Sequence, residues 1–313
     1  MDQIQTEVPE QTVSASGGRD ITTATVAPSA NPPASAVAPQ VCANCGAAPA
    51  TNGGAPAMPN YIYVIGGIKA VSPSPSVEKE FAQATGRAET AGLTDRQAVQ
   101  KVLSQRQNRY LARQLCWVLT VEGLETYILV PRDPADLDLL IESLRPTPSP
   151  MDLDCVIGIR GPIAPPQMCN GLMLPIVVFD QIYSFDRDTL IKAIPRPEKA
   201  SAKEFAPAAE QLFDRIMQMA DNAGATDEDR ALNYLAVRYQ AIYASAADAF
   251  ARNSSLTAVD VVRSALSGAR KIVDVVFSYT NRNTDVVEKS FVRVDVTDEF
   301  PFLVTKLSPY YDR

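Results

Sequence analysis

Residues 109–145, RYLARQLCWVLTVEGLETYILVPRDPADLDLLIESLR, predict three connected elements around which we expect the fold to form. Over residues 115–121 the side chains alternate with the period of two that is typical of a strand. Glu122-Gly123 predicts a tight turn, and residues 124–130 predict the returning strand. Asp133 then predicts a helix cap, because the proline after it fits the first helical position. The stretch therefore predicts a hairpin followed by a capped helix.

The alternation in the first strand assigns its side chains to two faces. One face carries Leu115, Trp117, Leu119 and Val121, and the other carries Cys116, Val118 and Thr120. Trp117 is the single tryptophan of the chain.

The rest of the chain predicts an α+β fold, with a central, mostly antiparallel sheet and flanking helices. Residues 61–65 predict a strand that Gly66-Gly67 would end, and a long helical hairpin is expected over about residues 201–253. A C-terminal β-hairpin is predicted over residues 272–296. We expect two regions, a flexible low-complexity segment at residues 1–60 and a single domain at residues 61–313.

Composition excludes several classes of partner. The chain has 313 residues, a net charge of −7 and a hydrophobic content of 46%. It offers no basic field for nucleic acid or anionic lipid, and no apolar run reaches the roughly 20 residues of a membrane helix. The acidic N-terminus has no apolar core of a secretory signal. We therefore expect a cytoplasmic protein with no nucleic-acid or membrane partner. We also expect a homodimer.

The absence of histidine restricts the chemistry. It excludes the Ser-His-Asp and Cys-His catalytic arrangements in their usual forms, and every histidine-ligated metal site. A metal would have to be held by cysteine or carboxylate. The aspartate pairs 136/138, 152/154 and 186/188 could mimic a magnesium or glycosidase site, but each begins a helix or strand, so we assign them to caps and solvated faces.

Cysteine spacing gives the strongest functional signal. Cys42 and Cys45 form a C-x2-C pair followed by glycine, within residues 21–68, which contain no charged residue. This is the half-site spacing of a zinc knuckle, and a redox pair or chance cysteines in a flexible tail are the alternatives. In a cytosolic chain we expect cysteine pairs to indicate metal or redox chemistry rather than a disulfide.

A structural zinc ion prefers four thiolates, so two more cysteines are required. Cys116 and Cys169 are the better candidates, because Cys155 falls in phase with apolar neighbours and predicts a small core residue. Cys155 could still replace either of them as a ligand. We therefore predict one structural zinc held by Cys42, Cys45, Cys116 and Cys169. The alternative is an enzyme or ligand-binding site near Cys116, Cys169 and residues 180–188.

Long strings of this sequence resemble the C-terminal domain of PatA/PatG-type cyanobactin maturation proteases. They include YIYVIGGI, VEKEFAQATGR, NRYLARQLCWVL, GLETYILVPRDPADLDLL, RGPIAPPQMCNGLM, PIVVFDQIYSFDRD, IVDVVFSYTNRNTDVVEK and FVRVDVTDEFPFLVTKLSPYYDR, and they span residues 61–313. In that family the domain follows a subtilisin-like protease that cuts or macrocyclises a ribosomal precursor peptide, and the domain itself is of unknown function.

The resemblance does not reach a protease domain, and a chain without histidine cannot supply that protease's triad. We therefore expect no catalytic residue and no peptide cleavage. The resemblance implies an accessory, scaffold or peptide-interaction role in the maturation of ribosomally synthesised, post-translationally modified peptides. The expected partners are a precursor peptide or peptide-modifying enzymes.

Overall fold

The computed structural model describes residues 59–88, 90–194, 202–218 and 222–311. The predicted flexible segment with Cys42 and Cys45 lies outside these residues. The described chain has the expected α+β architecture, with nine strands divided between a five-stranded barrel and a four-stranded sheet.

The barrel contains the strands predicted for the central sheet and closes in the order β1-β2-β3-β5-β4. Its strands are β1 (Tyr61–Val71), β2 (Cys116–Val121), β3 (Leu124–Pro131), β4 (Asp152–Ile163) and β5 (Pro175–Asp186). Four of the neighbouring pairs are antiparallel, and only β3 and β5 run parallel. The prediction of a mostly antiparallel sheet is thus confirmed.

Four helices surround the barrel strands. They are α1 (Pro75–Arg87), α2 (Asp95–Ser104), α3 (Arg109–Gln114) and α4 (Leu137–Ser143). Asp133 caps the 3-10 turn Pro134–Asp136 in front of α4, as predicted, and accepts a hydrogen bond from Ala135 N at 2.8 Å. These helices and one face of the barrel strands share a core that includes Trp117, Leu119 and Phe179.

The C-terminal part has more helices and strands than the predicted helical hairpin and β-hairpin. The helical section contains three helices rather than a hairpin, α6 (Ala202–Met217), α7 (Asp227–Arg238) and α8 (Ala241–Ala251), which follow the short α5 (Arg187–Ala193). The predicted hairpin is present as β7 (Ile272–Asn281) and β8 (Val287–Asp295). It is flanked by β6 (Ser254–Arg263) and β9 (Phe302–Pro309), which complete an antiparallel sheet.

A second core joins the barrel to the C-terminal sheet. Tyr63 and Cys155 on the barrel, Phe213 on α6 and Val275 on β7 belong to one buried cluster. The face of β1 that does not enter the first core therefore packs into the second. This arrangement explains why β1 is buried on both faces.

Strand β1 continues through Gly66-Gly67, so the prediction that these glycines end the strand is wrong. A Cβ atom on Gly66 would lie 2.3 Å from the carbonyl oxygen of Thr120 on β2. Glycine is required there because two backbones approach closely, which is a common reason for glycine inside a strand.

Among the described helices, none has the length and apolar character needed to cross a membrane.

Candidate functional site

Two of the four predicted zinc ligands, Cys116 and Cys169, lie together where β2 begins. Cys116 is the first residue of β2, and Cys169 lies in the loop between β4 and β5. This loop is closed at its base by the hydrogen bond from Ala164 N to Leu174 O, at 2.8 Å. Ile128 on β3 completes a small buried cluster with these two cysteines.

Cys116 and Cys169 are joined by a disulfide bond, with their Cα atoms 5.8 Å apart. The expectation that the cysteines of this chain form no disulfide is therefore wrong for this pair. The predicted proximity of the two residues is nevertheless present, although they lie 53 positions apart in the sequence. Their proposed partners Cys42 and Cys45 lie outside the described residues. Within the described ranges, no three cysteine, aspartate or glutamate side chains cluster in a way that could hold a metal ion.

Cys155 is separate from this pair and occupies the second core, where it is fully buried. Burial raises the pKa of its thiol to about 12. A thiol that stays protonated at neutral pH is a poor nucleophile and a poor metal ligand. Cys155 therefore behaves as the core residue that its phase in the strand predicts.

An open cleft lies directly beside the disulfide. Its volume is about 400 Å³. The ladder between β2 and β3 ends at the pair Trp117–Leu129, next to the cleft. The cleft is lined on one side by residues 112–117 and on the other by residues 128–132, with Met168 and Cys169 at the disulfide end.

Trp117 fixes one wall of this cleft. Its indole Nε1 donates a hydrogen bond to the carbonyl oxygen of Ala112, at 2.9 Å, and it is buried. This hydrogen bond ties helix α3 to the start of strand β2, so the helix that forms the wall is held against the barrel. The apolar lining and fixed walls are typical of preformed ligand sites.

Arg132 forms the opposite rim and is held by two carboxylates. It lies 2.9 Å from Asp180 on β5 and 2.9 Å from Glu299, which precedes β9. Of the expected site segment 180–188, Asp180 thus reaches the rim through this ion pair. Asp186 instead caps α5 by accepting a hydrogen bond from Thr189 N at 2.8 Å, and this bond lowers the pKa of its carboxyl group.

Asp154 is a buried carboxylate that the sequence reasoning assigned to a solvated face. It is 2% exposed and accepts hydrogen bonds from Ile68 N at 3.0 Å and from the Ser184 hydroxyl at 2.5 Å. Burial raises its pKa from 3.8 to about 6. The signal in the sequence is that Asp154 lies between Leu153 and the apolar run that begins at Cys155.

Residues 199–310 match the family model described as PatG C-terminal. Over these residues the chain is similar to the PatG C-terminal family. The resemblance drawn from the sequence is thus confirmed, and the matched segment covers α6–α8 and the whole C-terminal sheet. The cleft lies outside this segment, on the barrel.

A solved structure titled "PatG Domain of Unknown Function" has a similar fold. The two chains superpose with a TM-score of 0.66 and 19% identity, covering 80% of this chain and 98% of the other. At this identity the similarity concerns the fold, and it includes more of the chain than the family match does. No curated protein sequence matches the chain.

Proposed function

We propose that this protein is a non-catalytic accessory domain that binds a peptide during ribosomal peptide maturation of the cyanobactin type. The observation that carries the proposal is the apolar cleft of about 400 Å³ between residues 112–117 and 128–132. Apolar clefts of this size are typical ligand sites, and here the ligand would be the apolar side chains of a bound segment. The PatG C-terminal match supports the biological setting.

A non-catalytic role agrees with the chemistry around the cleft. Cys116 is its most nucleophilic side chain by type, but neither in the disulfide nor as a zinc ligand would its sulfur be a free thiolate that could attack. The chain contains no histidine to act as a general base. The cleft therefore provides apolar contact surface rather than an activated nucleophile.

Binding can be tested with a synthetic, fluorescently labelled cyanobactin precursor peptide and the full chain. We expect anisotropy to rise on binding and the peptide mass to stay unchanged. Val130→Trp should fill the cleft and weaken binding at least about tenfold, because it removes the space for a side chain. Val262→Trp is the matched control, since Val262 is an exposed strand valine on β6. Equal affinity of both variants would exclude the cleft as the site.

The same experiment distinguishes the alternative of an enzyme that acts near Cys116 and Cys169. An enzyme would change the mass of the peptide, and Cys116→Ala would abolish that change while the protein stays folded. Such turnover would replace the accessory role.

We further propose that the reduced form holds a structural zinc ion with Cys42, Cys45, Cys116 and Cys169. The proximity of Cys116 and Cys169 supports one half of the site, and the C-x2-C spacing supports the other half. Zinc requires thiolates, so metal and disulfide exclude each other at this pair. Elemental analysis of reduced protein should find about one zinc per chain, lost in Cys42→Ser or Cys45→Ser. Metal-free reduced protein of unchanged stability would exclude the site.

A cytoplasmic location and a homodimer complete the proposal. The reducing cytosol favours the metal-bound form of the cysteine pair over the disulfide. Sedimentation equilibrium of the full chain tests the dimer, and a single species at the mass of one chain would exclude it.

A further inference from the structure

The cleft beside the disulfide is one end of a longer groove. A second cavity of about 560 Å³ adjoins it and extends along the surface of α3. The two cavities share Arg113, Pro134 and Leu137 as walls. Because the same side chains border both spaces, a bound segment of chain could occupy them together.

Arginines are concentrated along the groove in an acidic protein. Its lining contains four charged arginines, Arg106, Arg109, Arg113 and Arg132, and a single carboxylate, Asp138. The whole chain has a net charge of −7. Arg109 and Arg132 are balanced by paired carboxylates, so the positive charge that remains for a partner of opposite sign is that of Arg106 and Arg113.

Two of these arginines are available to a partner. Arg109 pairs with Asp138, and Arg132 pairs with Asp180 and Glu299. In the described part of the chain, Arg106 and Arg113 form no ion pair, and both are exposed.

The backbone that carries these two arginines is held firmly. Asn108, which lies between them, is buried and donates a side-chain hydrogen bond to the carbonyl oxygen of Val102, at 3.0 Å. At the other end of α3, the carbonyl of Ala112 accepts the indole N–H of Trp117. A rigid base lowers the entropic cost of binding, because the arginines are presented without reordering the chain.

We propose that this groove recognises an acidic, apolar peptide segment. One or more apolar side chains enter the cleft beside Cys116 and Cys169, and carboxylates of the same segment contact Arg106 and Arg113. The inference rests on the proposed peptide-binding function and adds the chemical class of the peptide. Guanidinium groups suit this partner because they form paired hydrogen bonds with carboxylates.

An apolar cleft argues against nucleic acid as the occupant, because phosphate recognition needs a continuous basic surface. Asp133 and Asp136 flank the groove, but their carboxylates accept backbone hydrogen bonds in the turn before α4. They do not neutralise Arg106 or Arg113 by pairing.

The test uses the full chain and four labelled probes: short peptides of alternating glutamate and leucine, of alternating lysine and leucine, and of glutamate alone, and a single-stranded DNA. We expect the glutamate–leucine peptide to bind best, and more weakly as salt is added. The double variant Arg106→Glu/Arg113→Glu should lower its affinity at least about tenfold.

The matched control is Arg215→Glu/Arg263→Glu, which changes the net charge of the chain equally at exposed positions outside the groove. It should leave the affinity within about twofold. Equal loss in both double variants, or tighter binding of the DNA or of the lysine peptide, would overturn the inference.

The outcomes separate this inference from the proposed function. If the precursor peptide binds, and Val130→Trp blocks it while Arg106→Glu/Arg113→Glu does not, the cleft binds peptide but the charge selection is wrong. If neither the precursor nor any of the probe peptides binds, the proposed function fails with it.

Discussion

Cys116 and Cys169 tie the start of strand β2 to the loop between β4 and β5, with their Cα atoms 5.8 Å apart. The bond closes a loop of the chain that includes β3, α4 and β4. It lies against Ile128 and borders one end of the cleft. The same pair of residues therefore cross-links two barrel segments and borders the cleft.

Reduction of this bond should destabilise the protein. Its sulfur atoms close a loop with a sequence separation of 53, and loop-closure entropy for that length corresponds to an upper value of about 4 kcal/mol in the free energy of unfolding. Urea unfolding with and without reductant measures the difference. The variant Cys116→Ala/Cys169→Ala should show no further response to reductant, and a response as large as that of the original protein would assign the effect to another pair.

Asp154 should give the protein a stability that depends on pH. Its pKa is raised from 3.8 to about 6, so the folded state binds the proton more tightly than the unfolded state. The stabilising contribution is present below the unfolded pKa and is lost as the pH rises through about 6. The shift corresponds to about 3 kcal/mol, at 1.36 kcal/mol per unit of pKa.

Asp154→Asn tests this directly, because the uncharged amide can accept the Ile68 N–H through its oxygen and donate through its NH2 group to the Ser184 hydroxyl oxygen. At pH 7 the variant should be more stable than the original protein, by up to about 3 kcal/mol, and the difference should vanish near pH 4. The exposed Asp285→Asn changes net charge equally and is the control. A difference that is constant between these two pH values would contradict the burial argument.

Gly224→Ala should be strongly destabilising. Gly224 has a φ of +69°, and a Cβ atom there would lie 2.4 Å from the carbonyl oxygen of Tyr63. Its own carbonyl accepts the Tyr63 N–H at 2.9 Å, so the contact cannot open without loss of that bond. We expect a loss of about 2 to 4 kcal/mol. Gly86→Ala has open space at the end of α1 and should be neutral or stabilising; a similar loss there would refute the clash argument.

Asn222 and Asn233 should be coupled energetically. Each amide donates to the other, at 2.8 and 3.0 Å, and Asn233 also donates to the carbonyl oxygen of Tyr63 at 2.8 Å. Either single change to alanine leaves a buried group unpaired, which costs about 2 to 3 kcal/mol. The double variant should lose clearly less than the sum, as urea unfolding would show. Additive losses would exclude the coupling, and the exposed Asn283→Ala serves as a control.

The local pattern of the sequence predicted the first barrel hairpin well. Trp117 and Leu119 face one core, while Cys116 lies on the other face against Ile128, as the alternation indicates. The capped turn at Asp133 was also correct, because capping depends on neighbours within a few residues. Both features depend on residues that are close in the sequence, so they can be predicted without knowledge of the fold.

Features that depend on distant contacts could not be read in this way. The helical hairpin expected over about residues 201–253 would have one helix in its second half, but the structure divides that half into α7 and α8 at Tyr239, whose hydroxyl accepts a hydrogen bond from Leu307 N at 3.0 Å. The function of Gly66 becomes visible only when Thr120 lies beside it. The disulfide likewise depends on the barrel bringing the two cysteines together.

The second core has a consequence for any attempt to move this domain into another protein. The family match begins at residue 199. The buried cluster to which the matched segment contributes nevertheless includes Tyr63 and Cys155, from strands β1 and β4. A fusion that carries only the matched segment would leave an apolar sheet face without its cover, and such faces drive aggregation. The smallest transplantable unit therefore includes the barrel, and the cleft travels with it.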